Sequence, residues 1–166
     1  MKVILSHGKE SSPQSTKILR LKERVIEYGH EVEVPDYREI PSPEDRAAHL
    51  LEHLNDKEIP TILVGSSMGA YISLVASARC EAPIRGLFLM APAFYLSGYE
   101  VQNLNVPDCP VEIIHGWQDD VVPFQNAIRF SGEAKCRLLM VNDNHRLSNS
   151  IEEIDGRFVR FLKALA

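Results

Sequence analysis

Ser67 sits in the run Thr61–Leu74, TILVGSSMGAYISL, with Gly65 two residues before it and Gly69 two after. A serine hydroxyl is a weak nucleophile until a base takes its proton and an acid orients that base. Gly-x-Ser-x-Gly is the pattern of a nucleophile elbow, a sharp strand-to-helix turn that strains the serine backbone and lifts its Oγ above a sheet. The residues two before and two after the serine crowd the chain, so each is held to a hydrogen side chain. Only Ser67 is centred between the glycines, and Ser66 is read as structural. The competing explanation is a small-residue turn with Ser67 as a helix N-cap.

An elbow serine meets its acid and base in the chain order Ser, Asp or Glu, His. Two downstream segments qualify. IIHGWQDDVVP (Ile113–Pro123) presents Asp119 and Asp120, and LLMVNDNHRL (Leu138–Leu147) presents His145. Asp119 could instead be a turn former, with Asp120 as the acid, and His145 a surface-loop histidine. Asp143 would reach His145 from a loop rather than from a strand end, which suits the role less. His7 and His115 each precede a glycine at a strand end. Both are expected to bond backbone at turns. His49-Leu50-Leu51-Glu52-His53 matches H-x-x-E-H, and its histidines would share a helix face. A catalytic zinc needs a third protein ligand, and none is evident downstream, so a solvated helix face and no metal are expected.

These residues must be carried by elements that bring distant segments to one edge. Short apolar runs without strict alternation read as strands: Lys2–Ser6, His30–Pro35, Pro60–Gly65, Gly86–Ala91, Pro110–Gly116 and Cys136–Val141. Helical spacing follows most of them. Ser12-Pro13 reads as an N-cap with proline at the first helical position, and Gly29 as the C-cap. Ser42 to Asp45 resembles a capping box opening a helix to about Lys57. Ala70–Arg79 and Phe124–Glu133 read as helices, and Ser150 with Glu153 as a capping box for the last one. Buried strands alternating with helices predict a doubly wound α/β fold, mostly parallel, with helices on both faces. Sites in such folds lie beyond the C-terminal strand ends.

The 166 residues suit one domain, 1–166, with no linker, repeat or low-complexity segment. A net charge of −5 argues against nucleic acid and anionic membranes as partners. Cys80, Cys109 and Cys136 are odd in number and far apart, which fits reduced thiols and a soluble, cytoplasmic protein.

SHGKESSP after the first strand, GSSMGAY at the elbow and HGWQDDVVP before the late histidine together resemble the α/β-hydrolase superfamily, in its small esterase-like members without a lid. The resemblance spans nearly the whole chain. It implies a minimal six-stranded sheet lacking the two antiparallel strands usual at the N-terminus. It implies Ser67 as nucleophile, His145 as base and Asp119 as acid, four residues after the histidine of the HG pair. The backbone amides of Lys9 and Met68 would hold the oxyanion. The family often has glycine before the catalytic histidine, where this chain has Asn144. A small-molecule acyl substrate, an ester or thioester, would be hydrolysed without metal or cofactor. An amidase or peptidase on the same residues, or a non-catalytic binding protein on the scaffold, stays open. The irregular stretch after the fourth strand holds Phe94, Tyr95 and Tyr99, which with Trp117 are candidates for an apolar rim above Ser67, or else core.

Overall fold

Residues 1–166 are described by the computed structural model. Six strands form one sheet: β1 (Lys2–Ser6), β2 (Glu31–Glu33), β3 (Thr61–Ser66), β4 (Ile84–Met90), β5 (Val111–Gly116) and β6 (Arg137–Val141). Their order is β2-β1-β3-β4-β5-β6, and every pairing is parallel. Five helices connect or follow them: α1 (Thr16–Glu27), α2 (Pro43–Glu52), α3 (Met68–Ser77), α4 (Phe124–Ala134) and α5 (Ile151–Leu165).

The absence of polar alternation in the strands has a direct cause: both faces of the sheet are covered. On one face, Ile18, Leu21 and Val25 of α1 and Phe158 of α5 pack on Val3, Leu5, Val64 and Phe88. On the other, Leu50 of α2, Leu74 of α3 and Phe130 of α4 pack on Ile4, Leu63, Leu87 and Ile113. Successive strand residues therefore go to opposite apolar layers. Helix α3 is buried on every side, from Met68 to Ser77, which explains why its sequence is almost wholly small or apolar.

The strand order reverses between β1 and β3: the chain goes outward from β1 to β2 and then returns past it to β3. The loops leaving these two strands lead to helices on opposite faces, and the C-terminal edge between them is the usual ligand position in such sheets. Gly8 and Lys9 follow β1 there, and Ser67 follows β3.

Some helix ends differ from the sequence reading. Helix α1 starts at Thr16, a turn later than Ser12-Pro13 implied. Ser12 closes a turn of its own, its Oγ accepting from the Gln14 N–H at 3.2 Å. Ser42 does cap α2, accepting from the Asp45 N–H at 3.2 Å. That helix stops at Glu52 rather than near Lys57, because the amides of His53 and Leu54 turn back to the carbonyls of Leu50 and Leu51. Ser150 does not cap α5 through its side chain. Its hydroxyl donates to Asp143 at 2.9 Å, and a 3-10 turn, Ser148–Ser150, leads into the helix. Between β4 and β5 the chain runs without helix or strand, so no lid domain stands over the sheet edge.

Candidate active site

The two glycines around Ser67 are required by backbone, not by side chains. A Cβ on Gly65 would stand 2.4 Å from the Gly69 carbonyl oxygen, and one on Gly69 would stand 2.0 Å from the Ser6 carbonyl oxygen. Helix α3 can therefore rise against β1 only if both positions are bare. Ser67 adopts φ 56° and ψ −117°, a region that costs a non-glycine residue of the order of 1–3 kcal/mol. Neighbouring backbone pins it there. The Ser67 N–H donates to the Met90 carbonyl at 2.9 Å, and the Ser67 carbonyl accepts from the Ala93 N–H at 3.1 Å.

This strained turn aims the hydroxyl at the ends of β5 and β6. Ser67 Oγ lies 2.9 Å from His145 Nε2. His145 Nδ1 lies 2.7 Å from Asp119 Oδ2. The carboxylate itself is fixed, since Asp119 Oδ1 accepts from the amides of Val121 at 2.9 Å and Val122 at 2.7 Å. Its side chain is fully buried, while that of His145 keeps 17 % exposure. Burial alone would raise the Asp119 pKa, but the hydrogen bonds from His115, His145 and these two amides outweigh it and hold the carboxyl well below its ordinary range. Asp119 is thus an anion at neutral pH, able to hold Nδ1–H on His145 and leave Nε2 facing the serine hydroxyl. Asp120 is exposed on the same loop.

The acid and histidine loops are laced together. The Gln118 N–H donates to the Asp143 carbonyl at 3.0 Å and the Trp117 N–H to the Val141 carbonyl at 2.9 Å. A Cβ on Gly116 would fall 2.2 Å from that Asp143 oxygen, which gives the glycine of the HG pair a packing reason. Asp143 does not approach His145 as an acid. Its carboxylate accepts from the Asn144 N–H at 2.8 Å and from Ser150 N–H and Oγ at 2.9 Å, so it shapes the histidine loop instead. Lys17 of α1 donates to the Arg146 carbonyl at 2.9 Å. Burial pulls its pKa down to about 8 against the attraction of Asp143 and Asp119.

On the other side of Ser67 stands the loop after β1. A Cβ on Gly8 would be 3.5 Å from Ser67 Cβ, so the Gly8 backbone runs alongside that serine. Arg46, buried on α2, holds that backbone: Nη1 donates to the Gly8 carbonyl at 3.1 Å, Nη2 to the Lys9 carbonyl at 3.4 Å and Nε to the Ile40 carbonyl at 2.6 Å. His7 is turn-forming, with Nδ1 2.8 Å from the Gly8 carbonyl and Nε2 accepting from the Tyr37 N–H at 3.0 Å. Opposite this loop, the Met68 amide opens α3 and belongs to the first turn, whose N–H groups have no intrahelical acceptor.

Arg46 was not visible as a site residue in the sequence, because a lone arginine in an amphipathic helix reads as solvated. Nor was the contact of His115 with the acid. His115 bonds backbone as expected, its Nε2 3.1 Å from the Val122 carbonyl, but the same nitrogen is 3.0 Å from Asp119 Oδ2. Among the rim candidates, Phe94 is corrected: it is fully buried and packs at a tilt against Phe130, ring centres 4.6 Å apart, so it is core. The next residue, Tyr95, takes φ 57°. Tyr95 keeps some exposure but is tied to α4, its hydroxyl donating to Glu133 at 3.1 Å and its ring covered by Arg129. Tyr99 packs edge-on against Tyr71 at 4.7 Å, and Trp117, 50 % exposed, against Phe124 at 5.1 Å. The rings of His49 and His53 meet edge to face at 5.2 Å, and each Nδ1 faces one glutamate, Glu52 and Glu33 respectively. No three His, Cys, Asp or Glu side chains converge as metal ligands would.

No curated protein matches the sequence. The profile of the Uncharacterised protein family (UPF0227) matches residues 2–99. Among solved structures, a hydrolase candidate of the alpha/beta superfamily from Xanthomonas campestris pv. campestris is 30% identical, with a TM-score of 0.91 over 99% of both chains. Est1E from Butyrivibrio proteoclasticus is 19% identical at a TM-score of 0.81, over 99% of this chain and 87% of its own. Alpha/beta hydrolase domain-containing protein 10 from mouse is 18% identical at 0.81, over 99% of this chain and 90% of its own. The last two speak for the fold, and the first carries the family at sequence level. The chain belongs to the α/β-hydrolase superfamily, as a member of its hydrolase class and of the uncharacterised family UPF0227.

Proposed function

We propose that this hydrolase is a serine esterase or thioesterase that transfers an acyl group to water through an acyl-enzyme on Ser67. The observation that carries the reading is the unbroken hydrogen-bond chain from Ser67 Oγ to His145 Nε2 at 2.9 Å and from His145 Nδ1 to Asp119 Oδ2 at 2.7 Å. Ser67 Oγ attacks the acyl carbonyl as its proton passes to His145 Nε2. Asp119 keeps His145 in the Nδ1–H tautomer and stabilises the cation so formed. In this reading the tetrahedral oxyanion is received by the amides of Lys9, on the loop whose Gly8 lies beside Ser67, and of Met68, the residue after the serine. Preorganised donors of this kind are worth about 3–4 kcal/mol each in barrier lowering. His145 then gives its proton to the departing alcohol or thiol. Water attacks the acyl-enzyme, again losing its proton to His145, and Ser67 recovers a proton as the acid leaves.

Substrates are expected to be small acyl compounds, since no lid domain covers the edge and the aromatic residues near it are engaged with α3 and α4. The test is hydrolysis of p-nitrophenyl acetate and a short acyl thioester by the purified chain. A burst followed by steady turnover is expected, with both abolished in Ser67→Ala. Steady hydrolysis that survives Ser67→Ala unchanged would contradict the reading.

A further inference from the structure

Asp119 is met by two imidazoles. His115, on β5, is wholly buried, with Nε2 3.0 Å from Asp119 Oδ2 and 3.1 Å from the Val122 carbonyl oxygen. Both of these are acceptors, so the ring proton must sit on Nε2. The other nitrogen, Nδ1, is buried and has no partner. A second proton there would be an orphaned donor carrying charge in the interior, the arrangement that buried sites avoid. The network therefore assigns the Nε2–H tautomer to His115, with its hydrogen directed at the carboxylate.

We propose that His115 is a positioning residue for the reaction assigned above to Ser67, a proposal resting on that reading: its Nε2–H orients Asp119 and limits how tightly Asp119 grips the His145 cation. A carboxylate has about four lone-pair sites. Here the Val121 and Val122 amides fill those of Oδ1, and His145 with His115 those of Oδ2. Each neutral donor draws charge from the carboxylate and weakens it as a base. The consequence falls on His145. An Asp119 relieved of one donor binds imidazolium more strongly, so His145 stays protonated to higher pH and is unavailable as a base. Two other charges bear on the pair. Lys17, from α1, attracts both Asp143 and Asp119, and Asp143, on the histidine loop, is an anion held by hydrogen bonds from Asn144 and Ser150. Neither is altered by a change at His115.

The experiment measures the rate of Ser67 labelling by a fluorophosphonate from pH 5 to 9 in the full chain, so no natural substrate is needed. Wild type, His115→Leu and His115→Gln are compared. In His115→Leu the acid limb is expected to move to higher pH by about half a unit, a factor of about 3 in rate on that limb. His115→Gln, whose amide N–H reaches toward the same oxygen, is expected to return the limb most of the way. A folded His115→Leu whose limb coincides with wild type would overturn the proposal. So would a glutamine variant that behaves as leucine does, because the ring would then act by packing alone. Failure of the wild type to label at Ser67 would instead remove the serine-hydrolase reading, and is seen before any variant is made. If His115→Leu does not fold, ¹⁵N NMR of the wild-type imidazoles decides: a His115 proton on Nε2 at neutral pH supports the proposal, and one on Nδ1 overturns it.

Discussion

His145 Nδ1 stands 2.7 Å from Asp119 Oδ2, although the two residues leave different strands and lie 26 positions apart. Asp119 points inward to that bond with a fully buried side chain, while its neighbour Asp120 is exposed. The loop turns tightly here, the Asp119 N–H returning to the Gly116 carbonyl at 3.3 Å and Asp119 Oδ1 accepting from the Val121 and Val122 amides, so the two neighbouring carboxylates face different surroundings.

Asp119→Asn is therefore expected to lower kcat by at least about 10², since loss of a triad acid costs up to about 10⁴. Asp120→Asn is expected to cost less than about tenfold, as for a group outside the proton relay. Steady-state kinetics on p-nitrophenyl acetate, with circular dichroism to verify folding, check both. The opposite order in folded proteins would make Asp120 the orienting acid.

Arg46 holds the carbonyls of Gly8 and Lys9 from a buried position on α2. Its removal frees the loop whose Lys9 amide is assigned to the oxyanion. Arg46→Met, which keeps much of the side-chain volume, is expected to reduce kcat by about 10-fold or more, below the loss of a whole oxyanion donor. Arg46→Lys is expected to rescue little, because a single ammonium cannot reproduce the fork that spans both carbonyls. Kinetics at saturating substrate distinguish this from weakened binding.

Gly69 and Gly156 make opposite predictions from one physical rule. A Cβ on Gly69 meets the Ser6 carbonyl at 2.0 Å, whereas one on Gly156, in α5, meets nothing within 4 Å. Gly69→Ala is expected to destabilise by at least about 1–3 kcal/mol, the cost of overpacking a rigid contact. Gly156→Ala is expected to stabilise by about 0.5–1 kcal/mol through helix propensity. Urea unfolding midpoints measure both signs.

How much of this was legible beforehand follows from what each residue depends on. Ser67, Asp119 and His145 could be named because each sits at a strand end marked by local residues: the elbow glycines, the HG pair and the apolar run of β6. The six strands were legible for the same reason, as short apolar runs between helical spacings. Ser12 and Ser150 misled at helix starts, since a serine hydroxyl serves a turn or a distant carboxylate as readily as a cap, and the choice is made by tertiary neighbours such as Asp143. Phe94 is open between rim and core in the sequence because a loop aromatic gives no period from which burial can be read. Arg46 and the His115–Asp119 contact were invisible because they depend on α2 packing beside the β1 loop and on how the acid loop folds back over the end of β5.

The acid side of the stability curve follows from carboxylates whose folded pKa lies below the ordinary value. Asp155 is held low chiefly by its hydrogen bond from Arg24, with Arg20 adding to it against the opposing effect of burial. In Asp143 the amide of Asn144 and the groups of Ser150 outweigh burial in the same direction. In each case the unfolded chain binds protons more readily, so stability is present above the ordinary carboxylate pKa of about 3.9 and is lost as pH falls toward the folded value. The melting temperature is expected to drop steeply below about pH 4. In Asp155→Asn the melting temperature at neutral pH is expected to be lower and the acid slope shallower, as read by calorimetry from pH 2.5 to 7. An unchanged slope would show that this cluster carries no pH-linked stability.

Ser67 Oγ lies 2.9 Å from His145 Nε2, the contact on which the proposal of an activated nucleophile rests. Its most direct test is reaction of the purified chain with a fluorophosphonate, followed by peptide mass spectrometry to locate the adduct. One label per chain on Ser67 is expected, retained in Ser66→Ala and lost in Ser67→Ala and His145→Ala. A label on any other serine, or undiminished labelling in Ser67→Ala, would contradict it.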